Sequence, residues 1–179
     1  MASDNTLSLS TATATIHAPI ERVDIADWVL HLPDAEYQRC SVSHIAAGST
    51  TTDDGRPMSI NVEKIGDAIV IQHYVAEVHE AHYCRMVSIS DSISPAGATK
   101  VQVVWELSVK KIDDESCEYT NHIHGTATEQ TLAFLKEHGL TLEAAAAARQ
   151  KASHAHNLDE TPKFAKSIEA LALSHTKAQ

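Results

Sequence analysis

Apolar and polar positions recur along this chain with two periods, one of two residues and one helical, in alternating stretches. Residues 7–17, Leu-Ser-Leu-Ser-Thr-Ala-Thr-Ala-Thr-Ile-His, alternate small β-tolerant side chains and predict a first strand that ends before Pro19. Residues 20–32 then place Ile20, Val23, Trp28 and Leu32 at helical spacing, with Ile25 and Val29 beside them. Pro33 breaks that helix, and Pro33-Asp34-Ala35-Glu36 can start a second short one. From residue 41 to about 126 the period is two. Strands are expected at 41–48, 58–65, 68–78, 83–92, 100–111 and 117–126, separated by turn signals such as Asp53-Asp54-Gly55, Gly66-Asp67 and Ser94-Pro95-Ala96-Gly97.

After Thr126 the period becomes helical again. Thr128 is placed as an N-cap, Leu132 and Leu135 follow at i, i+3, and Gly139 stops that helix. Thr141 caps the next helix, which runs through the alanines 144–148. Pro162, preceded by Thr161, suits the first turn of a final helical segment carrying Phe164, Ile168, Leu171 and Ala172 on one stripe. Consecutive strands with short turns imply antiparallel pairing. The expected fold is α+β: one domain, 1–179, with a curved antiparallel sheet of about seven strands wrapped around a long C-terminal helix, and a ligand cavity between the two layers.

Composition narrows the function. A formal net charge of −10 and the lack of a Lys/Arg cluster argue against nucleic acid and anionic membrane surfaces. No apolar run is long enough to span a bilayer. The polar start Met-Ala-Ser-Asp-Asn-Thr lacks the features of a secretory signal, so the default compartment is the cytoplasm. Cys40, Cys84 and Cys117 form no CxxC and are read as reduced, buried thiols. Phosphate-binding, dinucleotide and Gly-x-Ser-x-Gly motifs are absent.

Histidine is over-used, with 12 against two Phe and two Trp, and is both a common metal ligand and a proton carrier near neutral pH. His156 and Glu160 stand at i, i+4, so on a helix both project from one face and can chelate one divalent ion, with further ligands from the sheet. His122 and His124, at i, i+2, share one face of a strand; they serve either as an acid/base pair or as ligands in place of a sheet carboxylate. The alternative for each pair is a plain structural one: a helix-end contact for the first, a polar outer strand face for the second.

The order of elements resembles the START-related, birch-pollen-allergen-like helix-grip superfamily (SRPBCC) over most of the chain. Three stretches carry the resemblance: Gln72-His73-Tyr74, Val104-Trp105-Glu106-Leu107-Ser108, and the tail Ala155-His156-Asn157-Leu158-Asp159-Glu160-Thr161-Pro162, continuing as Phe164-Ala165-Lys166-Ser167-Ile168-Glu169. Within that superfamily, diacetylphloroglucinol and phloretin hydrolases hold zinc with a His and a Glu from the sheet followed by a helical His-x-x-x-Glu. The resemblance implies the set His73, Glu106, His156 and Glu160, binding zinc or another divalent metal. The register expectation is that His73 falls near Met86, and Met86 near Glu106, so that the two share a face. Against this, Val101, Val103, Trp105, Leu107 and Val109 alternate with Glu106, and the simpler reading turns that apolar set inward and Glu106 outward. If the set faces outward instead, a homodimer is expected to cover it.

Three functions follow as expectations. One is a metal-dependent hydrolase or lyase acting on an aromatic ketone or polyketide-like compound. Another is a metal-free cyclase, dehydratase or isomerase using cavity histidines. The third is a passive carrier of a small apolar or aromatic ligand. Fold alone does not choose among them.

Overall fold

The computed structural model describes residues 5–174; the polar start read at residues 1–4 lies outside the described residues. Seven strands form one antiparallel sheet: β1 (Thr6–Ile16), β2 (His44–Thr51), β3 (Pro57–Ile65), β4 (Ala68–Glu80), β5 (Tyr83–Ser94), β6 (Gly97–Lys111) and β7 (Cys117–Ala127). Their spatial order is β1-β7-β6-β5-β4-β3-β2. The first and second strands are therefore the two edges, and the chain between them must cross the whole sheet. That crossing is made by a 3-10 turn (Ile20–Arg22), α1 (Ile25–His31) and α2 (Asp34–Cys40). The single helix expected over 20–32 is thus divided. Asp24 interrupts it by accepting the Asp27 N–H at 2.9 Å, an N-cap that restarts the helix at Ile25.

The two C-terminal helices are α3 (Glu129–Glu137) and α4 (Leu142–Ser174). Thr128 caps α3 as expected, exchanging hydrogen bonds with Thr131 in a capping box. Pro162 does not begin a new segment: α4 runs through it for 33 residues. The ring removes one donor to Leu158, but Pro162 and Leu158 both lie on the solvent side. On the buried side Thr161 Oγ1 donates to the Asn157 carbonyl at 2.6 Å, which keeps that turn tied.

The edge strand β1 carries α4. Gln150 accepts from Leu9 N at 2.8 Å and donates to Leu9 O at 2.9 Å, so one side-chain amide occupies both backbone groups of an edge residue. Farther along, Asn157 donates to Ser10 Oγ at 3.0 Å, and Glu169 accepts the His17 N–H at 2.7 Å. Beneath the helix, Phe164 packs edge-on against Trp28 with centroids 5.0 Å apart and meets Trp105 at 6.2 Å. Burial of these rings contributes the largest apolar payload of the core.

The strip Val101, Val103, Trp105, Leu107 and Val109 is buried and faces α4. The outward alternative, and with it the stated reason for a homodimer, does not apply. The register also differs from expectation. The chain turns tightly at Ala81–His82, so Met86 lies opposite Ala76 and Trp105, while Glu106 lies opposite Arg85.

Candidate functional site

Four ionisable side chains converge under α4. His156 and Glu160 come from the helix, His44 from the start of β2 and Glu63 from the end of β3, and all four are buried. His156 Nε2 lies 3.0 Å from Glu63 Oε2 and 3.2 Å from Glu160 Oε2. His44 Nε2 lies 3.1 Å from Glu160 Oε2 and 3.6 Å from Glu63 Oε2. One donor atom from each residue therefore sits within 4.8 Å of every other.

The next layer aims these atoms. His44 Nδ1 is 2.7 Å from the Tyr37 carbonyl, which can only accept, so the Nδ1 proton goes there and Nε2 is left to face the carboxylates. The His44 ring lies flat on Tyr37, centroids 3.8 Å apart, and Phe164 stacks near it at 5.6 Å. Gln72 donates to Glu63 Oε1 at 2.7 Å, and Asn121 donates to Glu160 Oε1 at 3.1 Å. Each amide holds the outer oxygen of one carboxylate and leaves Oε2 to point inward. Tyr37 also donates its hydroxyl to Glu63 Oε2 at 3.1 Å. Asn121 is itself fixed by accepting from the Trp105 indole N–H at 2.8 Å.

Burial would push His156 down, but hydrogen bonds and charge from Glu160 and Glu63 outweigh it and lift the imidazole to about 11. Burial would raise Glu160, and His156 and His44 outweigh that too, holding the carboxylate well below its ordinary range. Burial, with Glu63 and Glu160 adding to it, raises the Tyr37 hydroxyl well above its normal value, so Tyr37 stays a donor.

Two small voids adjoin the cluster. One, of about 20 Å³, touches Tyr37, Glu63, Tyr74, Trp105 and Glu160. The other, of about 30 Å³, lies between the apolar Leu7, Val101 and Val103 and the polar Glu63, Arg149 and His156. Each has room for about one water, and the lining is mixed rather than wholly apolar.

The helical pair singled out from the sequence lies in this cluster; its two expected sheet partners do not. His73 sits on the outer face of β4, opposite Ile60, while its neighbours Gln72 and Tyr74 face inward. Glu106 is on the outer face of β6, where Tyr83 donates to it and Arg85 approaches to 3.9 Å. His122 and His124 also face outward and pair with hydroxyls of β1, Thr11 at 2.7 Å and Thr6 at 3.1 Å. The physical reason is one of parity. Ile69, Ile71 and Val75 suggest an inward apolar face for β4, whereas Ile69 is 41% exposed and the inward face carries Gln72 and Tyr74. His44 and Glu63 are the residues missed. Glu63 had a signal: it alternates with Ser59 and Asn61, a polar series in a strand whose other face holds Met58, Ile60 and Val62.

No family model matches the chain, and no curated protein does. Solved structures do match. The Zhui aromatase/cyclase from Streptomyces sp. R1128 superposes with a TM-score of 0.63 at 11% identity, covering 95% of this chain and 96% of that one. A Thermus thermophilus protein, TTHA0849, gives 0.52 at 13% identity, with 94% and 99% covered. At such identities the likeness establishes architecture alone: this chain shares with those proteins the helix-grip fold, a curved antiparallel sheet around a long C-terminal helix. Among the described residues no helix is long and apolar enough to cross a membrane.

Proposed function

We propose that this protein is a helix-grip enzyme acting on a small aromatic or polyketide-like ketone, and that His44, Glu63, His156 and Glu160 hold a divalent cation, zinc first, at its centre. The observation that carries this reading is the packing of the four donor atoms. Ligands at about 2.0–2.1 Å from a tetrahedral ion stand about 3.3 Å from one another; the four His–Glu separations run from 3.0 to 3.6 Å and the His–His and Glu–Glu separations stay within 4.8 Å. Hydrogen bonding alone accounts for the cluster less completely. His156 Nε2 has one proton for two carboxylate oxygens, and His44 Nε2 faces its carboxylates with the Nδ1 proton already used. The nitrogen–oxygen donor set, with each carboxylate steadied by an amide, suits zinc and the harder first-row ions. It also keeps the order His, Glu, His-x-x-x-Glu that the resemblance to the phenolic-ketone hydrolases implied, with His44 and Glu63 in the sheet positions.

When bound, such an ion supplies a Lewis acid for a carbonyl oxygen or for water. The chain's own groups do the rest. Tyr37, still protonated and beside the void, can donate to an oxyanion; Gln72 and Asn121 hold the carboxylates; Trp105, Tyr74 and Phe164 form the aromatic side of the void. Elemental analysis of untagged protein grown with zinc should give one metal per chain, with His156→Ala metal-free and His73→Ala loaded. Metal-free wild-type protein would overturn the reading.

The second reading is metal-free cyclisation or dehydration by the same cluster; cyclisation is the activity in the name of the Streptomyces aromatase/cyclase of this fold. The raised imidazole of His156 favours it, because a proton can bridge the two carboxylates. A group whose pKa rises on folding gives stability that is complete below its unfolded value and lost as pH climbs through the folded one. Protein in this state should therefore lose stability between pH 6.5 and about 11, whereas zinc-loaded protein should not follow that slope.

A further inference from the structure

The sheet has two edges, and the chain closes only one of them along its length. On β1, α4 lies over the strand and the Gln150 amide occupies both backbone groups of Leu9. On β2 the cover is α2, and it stops early. Asp34 Oδ1 accepts the Ala47 N–H at 2.8 Å, and beyond it Gly48, Ser49, Thr50 and Thr51 are exposed. Register shows which of their backbone groups point outward. Thr51 stands opposite Pro57, which has no N–H, so the two form a non-hydrogen-bonded pair and Thr51 turns its N–H and C=O away from β3. By the two-residue repeat of the ladder Ser49 and Ala47 do the same, in agreement with the Ala47 bond to Asp34. Ser49 and Thr51 thus offer two donors and two acceptors to an added strand. Edges are normally defended by charge, Pro or a bulge. Residues 44–52 contain no Asp, Glu, Lys, Arg or Pro, and the one register shift lies at His44–Ala46, before the open stretch. Beside that stretch lies a groove of about 370 Å³ whose apolar walls are Leu30, Pro57 and Met58.

Charge selects the occupant. Asp34 stands at one end of the open stretch and Asp53 at the other. Among the described residues neither makes an ion pair, while Asp54 beside them is held by Arg56. At about 3.3 Å per residue, Ala47 and Asp53 are roughly 20 Å apart. A second copy of this chain fits that edge badly. Antiparallel pairing of two β2 strands about Thr50 sets the Asp53 end of each against the Asp34 end of the other, in a chain whose net charge is −10. We propose that the open edge of β2 adds an extended segment of another protein, about five uncharged residues between two basic ones, with an apolar side chain seated in the groove. Main-chain bonds to Ser49 and Thr51 supply affinity, and the groove and the two carboxylates supply choice. The surface is separate from the His44–Glu63–His156–Glu160 cluster and does not depend on what that cluster holds.

The test uses the full chain, isotope-labelled for NMR, with the peptide acetyl-Lys-Thr-Val-Thr-Val-Thr-Lys-amide and a second peptide in which both Lys are Glu. Amide hydrogen exchange is followed residue by residue. In the free protein Ser49 and Thr51 should exchange as open amides, and Gly48 and Thr50 as ladder amides. The lysine peptide at about 1 mM should slow Ser49 and Thr51 about tenfold and leave Gly48 and Thr50 unchanged. The glutamate peptide should bind about tenfold more weakly, and Asp34→Asn combined with Asp53→Asn should erase that difference. Asn at the first position keeps an oxygen for the Ala47 N–H. Thr51→Pro removes a donor that β3 does not use, so it should abolish the slowing at Ser49 with the melting temperature kept. No slowing with the lysine peptide, equal binding of the two peptides, or slowing that survives Thr51→Pro would overturn the proposal. Should Thr51→Pro fail to fold, the Asn pair decides, and a lysine preference that survives it overturns the proposal. Ser49 and Thr51 amides already protected in the free protein, more so as its concentration rises, would give the edge to a second copy and overturn it as well.

Discussion

The two halves of the sheet bury opposite kinds of surface. In β6 the inward positions are Val101, Val103, Trp105, Leu107 and Val109, and the outward ones include Gln102, Glu106 and Lys110, the usual arrangement of a strand against a core. In β3, β4 and β5 the polarity is inverted over part of each strand, beside buried Val70, Tyr74, Cys84 and Met86. Ser59, Asn61, Glu63, Gln72, Ser88, Ser90 and Ser92 are buried, while Ile69, Ile89 and Ile93 are between 41% and 47% exposed. One half is built to be stable; the other gives up apolar burial to surround a polar centre with hydrogen-bonding groups. The same helix, α4, serves both: Phe164 and Ile168 pack on the first, His156 and Glu160 on the second.

Substitutions can break this contrast, and the largest effect belongs to the apolar half. Trp105→Ala should cost about 3–5 kcal/mol of stability, measured by urea denaturation, because it empties a buried ring site and strips Asn121 of a donor. A loss under about 1 kcal/mol would mean that β6 is not the core strand described. In the polar half the expected signature is different. Zinc at a hundredfold excess over its Kd should stabilise the wild-type protein by about 2.7 kcal/mol, and Glu63→Gln should abolish that increment and also lower the zinc-free melting temperature, because it removes the charge that pairs with His156. A smaller effect is expected one layer out. Gln72→Leu releases Glu63 Oε1 and should weaken zinc binding roughly 10–100-fold in a competition titration, with the fold intact. The smallest concerns the outer face: Ile89→Thr should shift stability by less than about 0.5 kcal/mol. A larger loss would show that this face is covered in solution.

The inversion also explains what could be read in advance. Strand count, the turns marked by glycine and aspartate, the α3 cap and the long final helix follow from local signals, including Thr128 and the recurrence of Phe164, Ile168 and Ala172, whereas the β4–β5 turn at Ala81–His82 carries no such mark. His156 and Glu160 were legible because i, i+4 spacing survives whatever the helix packs against. Their sheet partners were not. The rule that apolar residues point inward holds for β6 and correctly sends Glu106 outward, but on β4 it selects Ile69, Ile71 and Val75 and carries His73 with them to the wrong face. His44 gave no local sign, since it lies at the first residue of an edge strand and its role depends on a helix more than 100 residues away. Pro162 misled for a related reason: a missing donor matters little on the exposed side of a helix anchored by Thr161 and Phe164 beneath.

The central claim is that two imidazoles and two carboxylates share one divalent ion beneath α4. Zinc K-edge X-ray absorption on the loaded, untagged protein tests it most directly. The account predicts a first shell of nitrogen and oxygen at about 2.0–2.1 Å with outer-shell scattering from two imidazole rings, reduced to one ring in His44→Ala and unchanged in His73→Ala. A spectrum with sulfur neighbours, one unaltered by His44→Ala, or protein that takes up no zinc would contradict it.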